Sequence, residues 1–272
     1  MKNMRILFIT DIHQSISNLS KIDFTKYNMV FCGGDLINPH KPDIEIAKSI
    51  VDMLPSDTII VPGNCDGDPE LLNYISSKLV CVNMVSCNYK GLLVTGVGFA
   101  RKQSDDIKIY REYFLNSFDK IFEFSRKSPL FNLLNYCGIF VDNSEIRVIS
   151  EADALDKSSD FIMKNAGFTE ESVSEFFATL ENHHKGGVLL THSPPYGFLD
   201  SLPMLPPVGS RALRTGMRLL KPDIILCGHF HELKGIKKSG NTIIFNPGAL
   251  KDGRYGEIII NENNIEPRFM EI

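Results

Sequence analysis

Ile224-Ile225-Leu226-Cys227-Gly228-His229-Phe230-His231 is the stretch on which the fold turns: four consecutive apolar residues, then a glycine and two histidines. A run of four is too short for a helix. An apolar side chain at every position marks a strand covered on both faces, as parallel strands in α/β sheets are. In strand-like backbone, residues two apart point to the same side. His229 and His231 therefore present two imidazoles together just past the strand end, and Gly228 permits a close backbone approach. That is where open α/β sheets bind their ligands.

The same device recurs outward from this stretch. Residues 5–10 run into Asp11-Ile12-His13, residues 29–32 into Gly33-Gly34-Asp35, and residues 58–61 into Pro62-Gly63-Asn64-Cys65-Asp66. Residues 188–191 run into His192-Ser193-Pro194-Pro195. Helical patterns over 43–54, 69–78, 169–184 and 209–220 alternate with these strands, which predicts an α/β sheet. Beyond His231, short runs at 233–238, 242–245, 255–260 and 265–270 read as antiparallel strands closing a second sheet.

Residues 101–160 break the alternation. Ile107, Tyr110, Phe114, Phe118 and Ile121 recur at spacings of three and four, one face of an amphipathic helix. The expectation is a helical insertion or cap inside a single domain spanning 1–272. Its aromatic stripe has two readings: packing on the main body, or a lid or dimer surface that shapes access.

Bulk properties narrow the class. A chain of 272 residues buries a substantial core without covalent staples. A net charge of -4 supplies no field for a dedicated nucleic-acid binder, and no apolar run approaches the roughly 18 residues of a membrane span. Asp11 interrupts the N-terminal apolar stretch, which reads as a first strand and not as a signal peptide. The six cysteines (Cys32, Cys65, Cys81, Cys87, Cys137 and Cys227) contain no Cys-x-x-Cys pair. Reduced thiols and a cytoplasmic location are expected.

The polar clusters suit a divalent cation, which needs carboxylate, imidazole or amide-carbonyl donors converging on one point. Asp11 with His13, and His229 with His231, each offer two donors on one side. Asp35 follows two glycines and can bridge two ions; Asn64 adds a neutral carbonyl and His192 another imidazole. Each cluster alone is ordinary turn chemistry. Five of them in order, each at a strand end, point to a metal cage. His40, His183 and His184 fit no cluster and are read as solvated.

The series Asp-x-His, Gly-Gly-Asp, Gly-Asn-Cys-Asp, Thr-His-Ser-Pro-Pro and Gly-His-Phe-His resembles the calcineurin-like metallophosphoesterase superfamily, and within it the small prokaryotic phosphoesterases related to cyclic-nucleotide phosphodiesterases. Phe245-Asn246-Pro247-Gly248 is similar to the family's usual ending. The resemblance implies a four-layer αββα sandwich of two mixed sheets. It also implies two divalent ions (Mn, Fe, Zn or Ni). Asp11, His13 and His231 would hold one, Asn64, His192 and His229 the other, and Asp35 would bridge. The implied reaction is hydrolysis of a small phosphate ester or phosphodiester by metal-activated water, with Asn64, Cys65, Asp66 and His192 as candidate catalytic residues.

Many members carry His directly after the motif's Asn; here the residue is Cys65, a poorer charged proton donor. Cys65 is also readable as a redox-sensitive thiol or as a small residue fitting the turn, with Asp66 taking over part of the polar role. Other functions open to the same cage are a protein phosphatase, a nuclease, or a non-catalytic interaction module, in a monomer or a homo-oligomer. Arg211, Arg214, Arg218 and Lys221 form a basic helix face near the Thr-His-Ser-Pro-Pro loop, either solvated or gathering phosphate.

Overall fold

All four side chains of Met29–Cys32 are buried, and they divide between two cores. Met29 and Phe31 face one side, Val30 and Cys32 the other, as a period of two requires. The computed structural model describes residues 4–39, 41–116, 139–142, 145–150, 153, 167–180, 185–201, 206–261 and 264–272.

One six-stranded sheet comprises β1 (Met4–Ile9), β2 (Met29–Cys32), β3 (Ile59–Ile60), β4 (Val80–Cys81), β13 (Arg254–Asn261) and β14 (Asn264–Glu271), in the order β14-β13-β1-β2-β3-β4. A second contains β5 (Val85–Tyr89), β6 (Leu92–Val97), β9 (Val188–Thr191), β10 (Ile224–Leu226), β11 (Gly235–Ser239) and β12 (Thr242–Asn246), in the order β11-β12-β10-β9-β6-β5. Both are mixed. In the first, β1, β2, β3 and β4 run parallel while β13 and β14 are antiparallel. In the second, β12, β10, β9 and β6 run parallel between antiparallel edges β11 and β5.

The described helices are α1 (Ile16–Leu19), α2 (Ile44–Met53), α3 (Pro69–Lys78), α4 (Gln103–Leu115), α5 (Glu170–Leu180) and α6 (Arg211–Leu220). Asp43 caps α2 and Asp68 caps α3, each carboxylate accepting from backbone N–H groups of the first turn, and Ser210 caps α6 in the same way. Helices α2 and α3 cover the outer face of the first sheet, burying Ala47, Ile50, Leu71 and Ile75 against Leu7, Ile9 and Val30. Helices α5 and α6 cover the second through Phe177, Leu213 and Met217 against Leu189 and Ile225. Between the sheets lies the third core, with Ile6, Phe8 and Phe31 meeting Leu190, Leu226 and Phe245. The result is the expected αββα sandwich.

Two expectations need correction. The C-terminal strands do not close one sheet. β11 and β12 extend the second, with β12 parallel to β10, whereas β13 and β14 cross to the first and pair along β1. The crossing follows Asn246-Pro247-Gly248, where proline ends the ladder and Gly248 has φ 87°. Likewise, residues 101–160 are not wholly helical: after α4 comes an antiparallel pair, β7 (Ile139–Asp142) with β8 (Glu145–Val148). Ile107, Tyr110 and Phe114 are buried, so this part of the aromatic stripe faces inward. Phe118 and Ile121 lie outside the described residues, as do His40, His183, His184 and Cys137.

Candidate metal centre

Strand ends from both sheets converge at one rim of the sandwich. From the first sheet, β1 delivers Asp11 and His13, β2 delivers Asp35 and β3 delivers Asn64; from the second, β9 delivers His192 and β10 delivers His229 and His231. Asp11, His13, Asp35 and His229 have φ of 55°, 44°, 57° and 69°. Left-handed backbone is uncommon for residues with a Cβ, although Asp and His tolerate it better than most. Four such residues at one rim indicate a local geometry held by its surroundings. Those surroundings are backbone hydrogen bonds between strand ends: Asp11 N–H to Gly34 (2.9 Å), His13 N–H to Asp35 (2.8 Å) and Gly228 N–H to His192 (2.8 Å).

Two glycines are steric necessities. A Cβ on Gly63 would lie 2.0 Å from Asp35 Oδ1, and one on Gly228 would lie 2.4 Å from Asp11 Oδ2. Each glycine clears room for the carboxylate of a neighbouring strand.

The donor atoms fall into two groups around Asp35. In the first, His13 Nε2 lies 3.1 Å from His231 Nε2, and His231 Nε2 lies 3.3 Å from Asp11 Oδ1. In the second, His192 Nε2 lies 2.8 Å from Asn64 Oδ1, and His229 stands edge-on to His192 with ring centroids 5.1 Å apart. One atom, Asp35 Oδ2, sits 3.7 Å from His13 Nε2 and 3.5 Å from His192 Nε2. Metal–nitrogen bonds of about 2.1 Å imply donor–donor edges of roughly 3.0 Å (octahedral) to 3.4 Å (tetrahedral). The spacings match a coordination shell.

Tautomers and charge agree with that fit. His13 Nδ1–H donates to the Ile37 carbonyl (2.8 Å) and His192 Nδ1–H to the Gly33 carbonyl (2.7 Å), which turns both Nε2 atoms toward the cage. Burial pushes His13 below its ordinary value against the pull of Asp35 and Asp11; burial, then His192, pushes His229 down to about 4. Both rings are neutral near pH 7, the form that ligates. Burial opposes charge on Asp11, yet the imidazoles of His231, His192 and His13 hold it well below the usual carboxylate range. Burial likewise opposes a charged His192, but Asp35 and Asp11 pull that ring above its ordinary value. The centre demands positive charge, and the chemistry of its donors fits divalent ions.

Cys65 and Asp66 both attach to Asp35, in different ways. The Cys65 backbone N–H donates to Asp35 Oδ1 (2.8 Å) and its thiol to Asp35 Oδ2 (3.2 Å). Burial, then the carboxylates of Asp35 and Asp66, pushes this thiol far above the ordinary range, so it stays protonated. Cys65 Sγ, His13 and Asp35 form one of the tight donor clusters, a grouping that no spacing in the sequence announces.

Asp66 is fully buried, and its carboxylate accepts from the N–H groups of Asp35, Leu36 and Gly63 (2.8 Å each) and of Ile37 (3.3 Å). Burial, then Asp35, pushes it up to about 7, against the Gly63 and Leu36 N–H groups and His192.

Some of the supporting groups carry no signal in the sequence. Thr10 Oγ1 donates to Asp11 Oδ2 (2.9 Å), and Asn246 Nδ2 donates to the Phe230 carbonyl (3.0 Å), tying the Asn-Pro-Gly turn to the Gly-His-Phe-His turn. Thr10 ends the first apolar run, and nothing in its spacing sets it apart. On the basic helix, Arg211 lies over the Tyr196 ring and Arg214 donates to the Tyr196 carbonyl (2.8 Å), so both dock on the loop that follows His192.

An αββα sandwich with carboxylates and imidazoles at the seam of its sheets frames a candidate metal centre. The calcineurin-like phosphoesterase family matches residues 4–233, and the chain belongs to that family. Among curated relatives, a Methanocaldococcus jannaschii protein is 33% identical over 85 residues, 29% of this chain and 39% of that one. Human metallophosphoesterase domain-containing protein 1 is 39% identical over 61 residues, 22% of this chain and 19% of that one. The matched stretch thus spans less than two fifths of the length of either relative.

Among solved structures, one from Thermus thermophilus covers 97% of this chain and 98% of its own, with TM-score 0.58 and 15% identity. The 5'-nucleotidase from Candida albicans covers 98% of this chain and 51% of its own, with TM-score 0.50 and 13% identity. These two likenesses establish the fold. Among the described residues, no helix is long and apolar enough to cross a membrane.

Proposed function

We propose that this chain is a two-metal hydrolase of small phosphodiesters. The observation that carries this reading is the position of Asp35 Oδ2, within 3.7 Å of His13 Nε2 on one side and 3.5 Å of His192 Nε2 on the other. One carboxylate oxygen faces both donor groups. Asp11, His13 and His231 would hold one ion, Asn64, His192 and His229 the second, and Asp35 both. When bound, such ions supply positive charge to the phosphoryl oxygens and lower the pKa of water.

The chain's own residues bias the ester class. The position beside Asn64 carries a neutral thiol that donates to Asp35, so it offers no charged proton to a departing alkoxide. General acid help of about 10²–10⁴-fold is therefore missing at this position. Substrates with good leaving groups depend on it least. A diester also brings one negative charge where a monoester brings two, which suits a thiol better than an imidazolium partner would. Asp66 acts as a positioning residue, holding the Asp35 loop to the Asn64 loop.

The test is turnover of bis-p-nitrophenyl phosphate against p-nitrophenyl phosphate on protein loaded with Mn²⁺ or Ni²⁺, with bound metal counted. The expected result is two ions per chain and a higher kcat/KM for the diester. Higher kcat/KM for the monoester, or a single ion at saturation, overturns the proposal. Full metal loading with no turnover of either ester favours the interaction module instead.

A further inference from the structure

A second feature lies beside the cage. Phe99 follows β6 with φ 63°, and bulky side chains seldom adopt that conformation. Its N–H donates to the Pro62 carbonyl (2.6 Å), two residues from Asn64, and its own carbonyl accepts from Ser193 Oγ (3.5 Å), next to His192. Phe99 is thus clamped between the loops that carry Asn64 and His192, two of the second donor group. Gly98 makes the clamp possible, since a Cβ there would lie 2.6 Å from Pro62 Cδ.

Phe99 and Pro62 also border a cavity of about 580 Å³, within the range of small-molecule sites. Leu72, Leu79 and Val80 complete its apolar wall; Ser76, Cys81 and Asn83 supply its polar groups. Among the described residues, no Asp, Glu, Lys or Arg lines it, so the occupant's part here is uncharged. Asn83 Oδ1 accepts from the Gly98 N–H (2.8 Å), which orients the amide and leaves its Nδ2 as a donor for an acceptor atom on the occupant.

We propose that this cavity is a subsite for one ester group of the substrate, an uncharged planar group with a hydrogen-bond acceptor on its edge, and that Phe99 is its specificity-determining residue. The proposal rests on the phosphoester reading of the cage. An apolar wall whose polar groups are the Ser76 hydroxyl, the Cys81 thiol and the Asn83 amide offers no charged partner to a second phosphate or a charged head group. A flat ring buries its faces against Phe99, Pro62 and Leu72.

The experiment compares equilibrium binding of phenylphosphonate and methylphosphonate, neither of them hydrolysable, to metal-loaded protein by calorimetry. Phenylphosphonate is expected to bind about tenfold more tightly, the equivalent of about 1.4 kcal/mol. Phe99→Ala, which removes the wall, and Ser76→Phe, which fills the cavity from an exposed position on α3, should each bring the affinity ratio to about one. A ratio near one in the unsubstituted protein, failure to bind either phosphonate, or a ratio that survives either substitution overturns the subsite. Loss of the diester preference with the phosphonate ratio intact would instead overturn the proposed function and leave the subsite standing.

Discussion

Replacing Asp66 by Asn asks whether this residue acts on substrate or on the protein. Its two oxygens accept from four buried N–H groups: Oδ2 from Asp35 and Gly63, Oδ1 from Leu36 and Ile37. An asparagine retains one oxygen and so one pair of donors. Its NH₂ then faces the other two N–H groups with nothing to offer them. Each buried donor left unpaired costs about 1–3 kcal/mol, and relief of the repulsion between Asp66 and Asp35 returns part of that.

The net loss is about 3 kcal/mol, a large share of the roughly 5–15 kcal/mol that holds a domain together. At about 2–4 °C per kcal/mol for a chain of this size class, Tm of the metal-free protein should fall by roughly 6–12 °C. The assay is calorimetry in chelator, with metal content and turnover per bound ion measured after reloading. A positioning role predicts weaker metal binding and near-normal turnover per occupied site. Unchanged Tm with activity lost at full occupancy would refute the reasoning and make Asp66 a catalytic residue.

Three further outcomes follow from the same geometry. Asp35→Asn should weaken both ions together, whereas His231→Ala should spare one; inductively coupled plasma analysis after dialysis separates a shared ligand from two independent sites. Cys65→His should raise monoester turnover more than diester turnover, and no change in either would count against a protonation role at this position. Burial and Tyr255 raise Tyr27 to about 12. The fold thus favours the protonated phenol, so stability contributed below about pH 10 is lost as pH rises from there through about 12. Tyr27→Phe should flatten that part of the stability profile, as read by chemical denaturation.

Much of this was legible in the sequence because the parallel strands are buried on both faces. Residues 29–32 and 188–191 are apolar at nearly every position, and their lengths agree with β2 and β9. The candidate donors were legible as a set because each follows such a run. The edge strands were not: β5 has half-exposed, mixed composition and β4 is two residues long, so neither carries a periodic signal. The C-terminal strands were seen as strands but assigned to one sheet, since pairing partners are set by tertiary contacts and not by local pattern. Sequence does not show which way a carboxylate after a turn points, so the N–H groups from which Asp66 accepts were not legible in it. Phe99 left no trace at all, its significance lying in a backbone angle and in two loops distant in sequence.

The cage draws Asp11, His13, Asp35 and Asn64 from one sheet and His192, His229 and His231 from the other. On the proposed two-ion reading, neither sheet owns a complete ion site. Metal affinity would then gauge how the two sheets are seated, and interior contacts such as Phe8 against Phe245, with ring centroids 6.5 Å apart, would bear on metal binding as well as on the core. A small slide along that seam would loosen every ligand set at once, and bound ions would act as rivets across it.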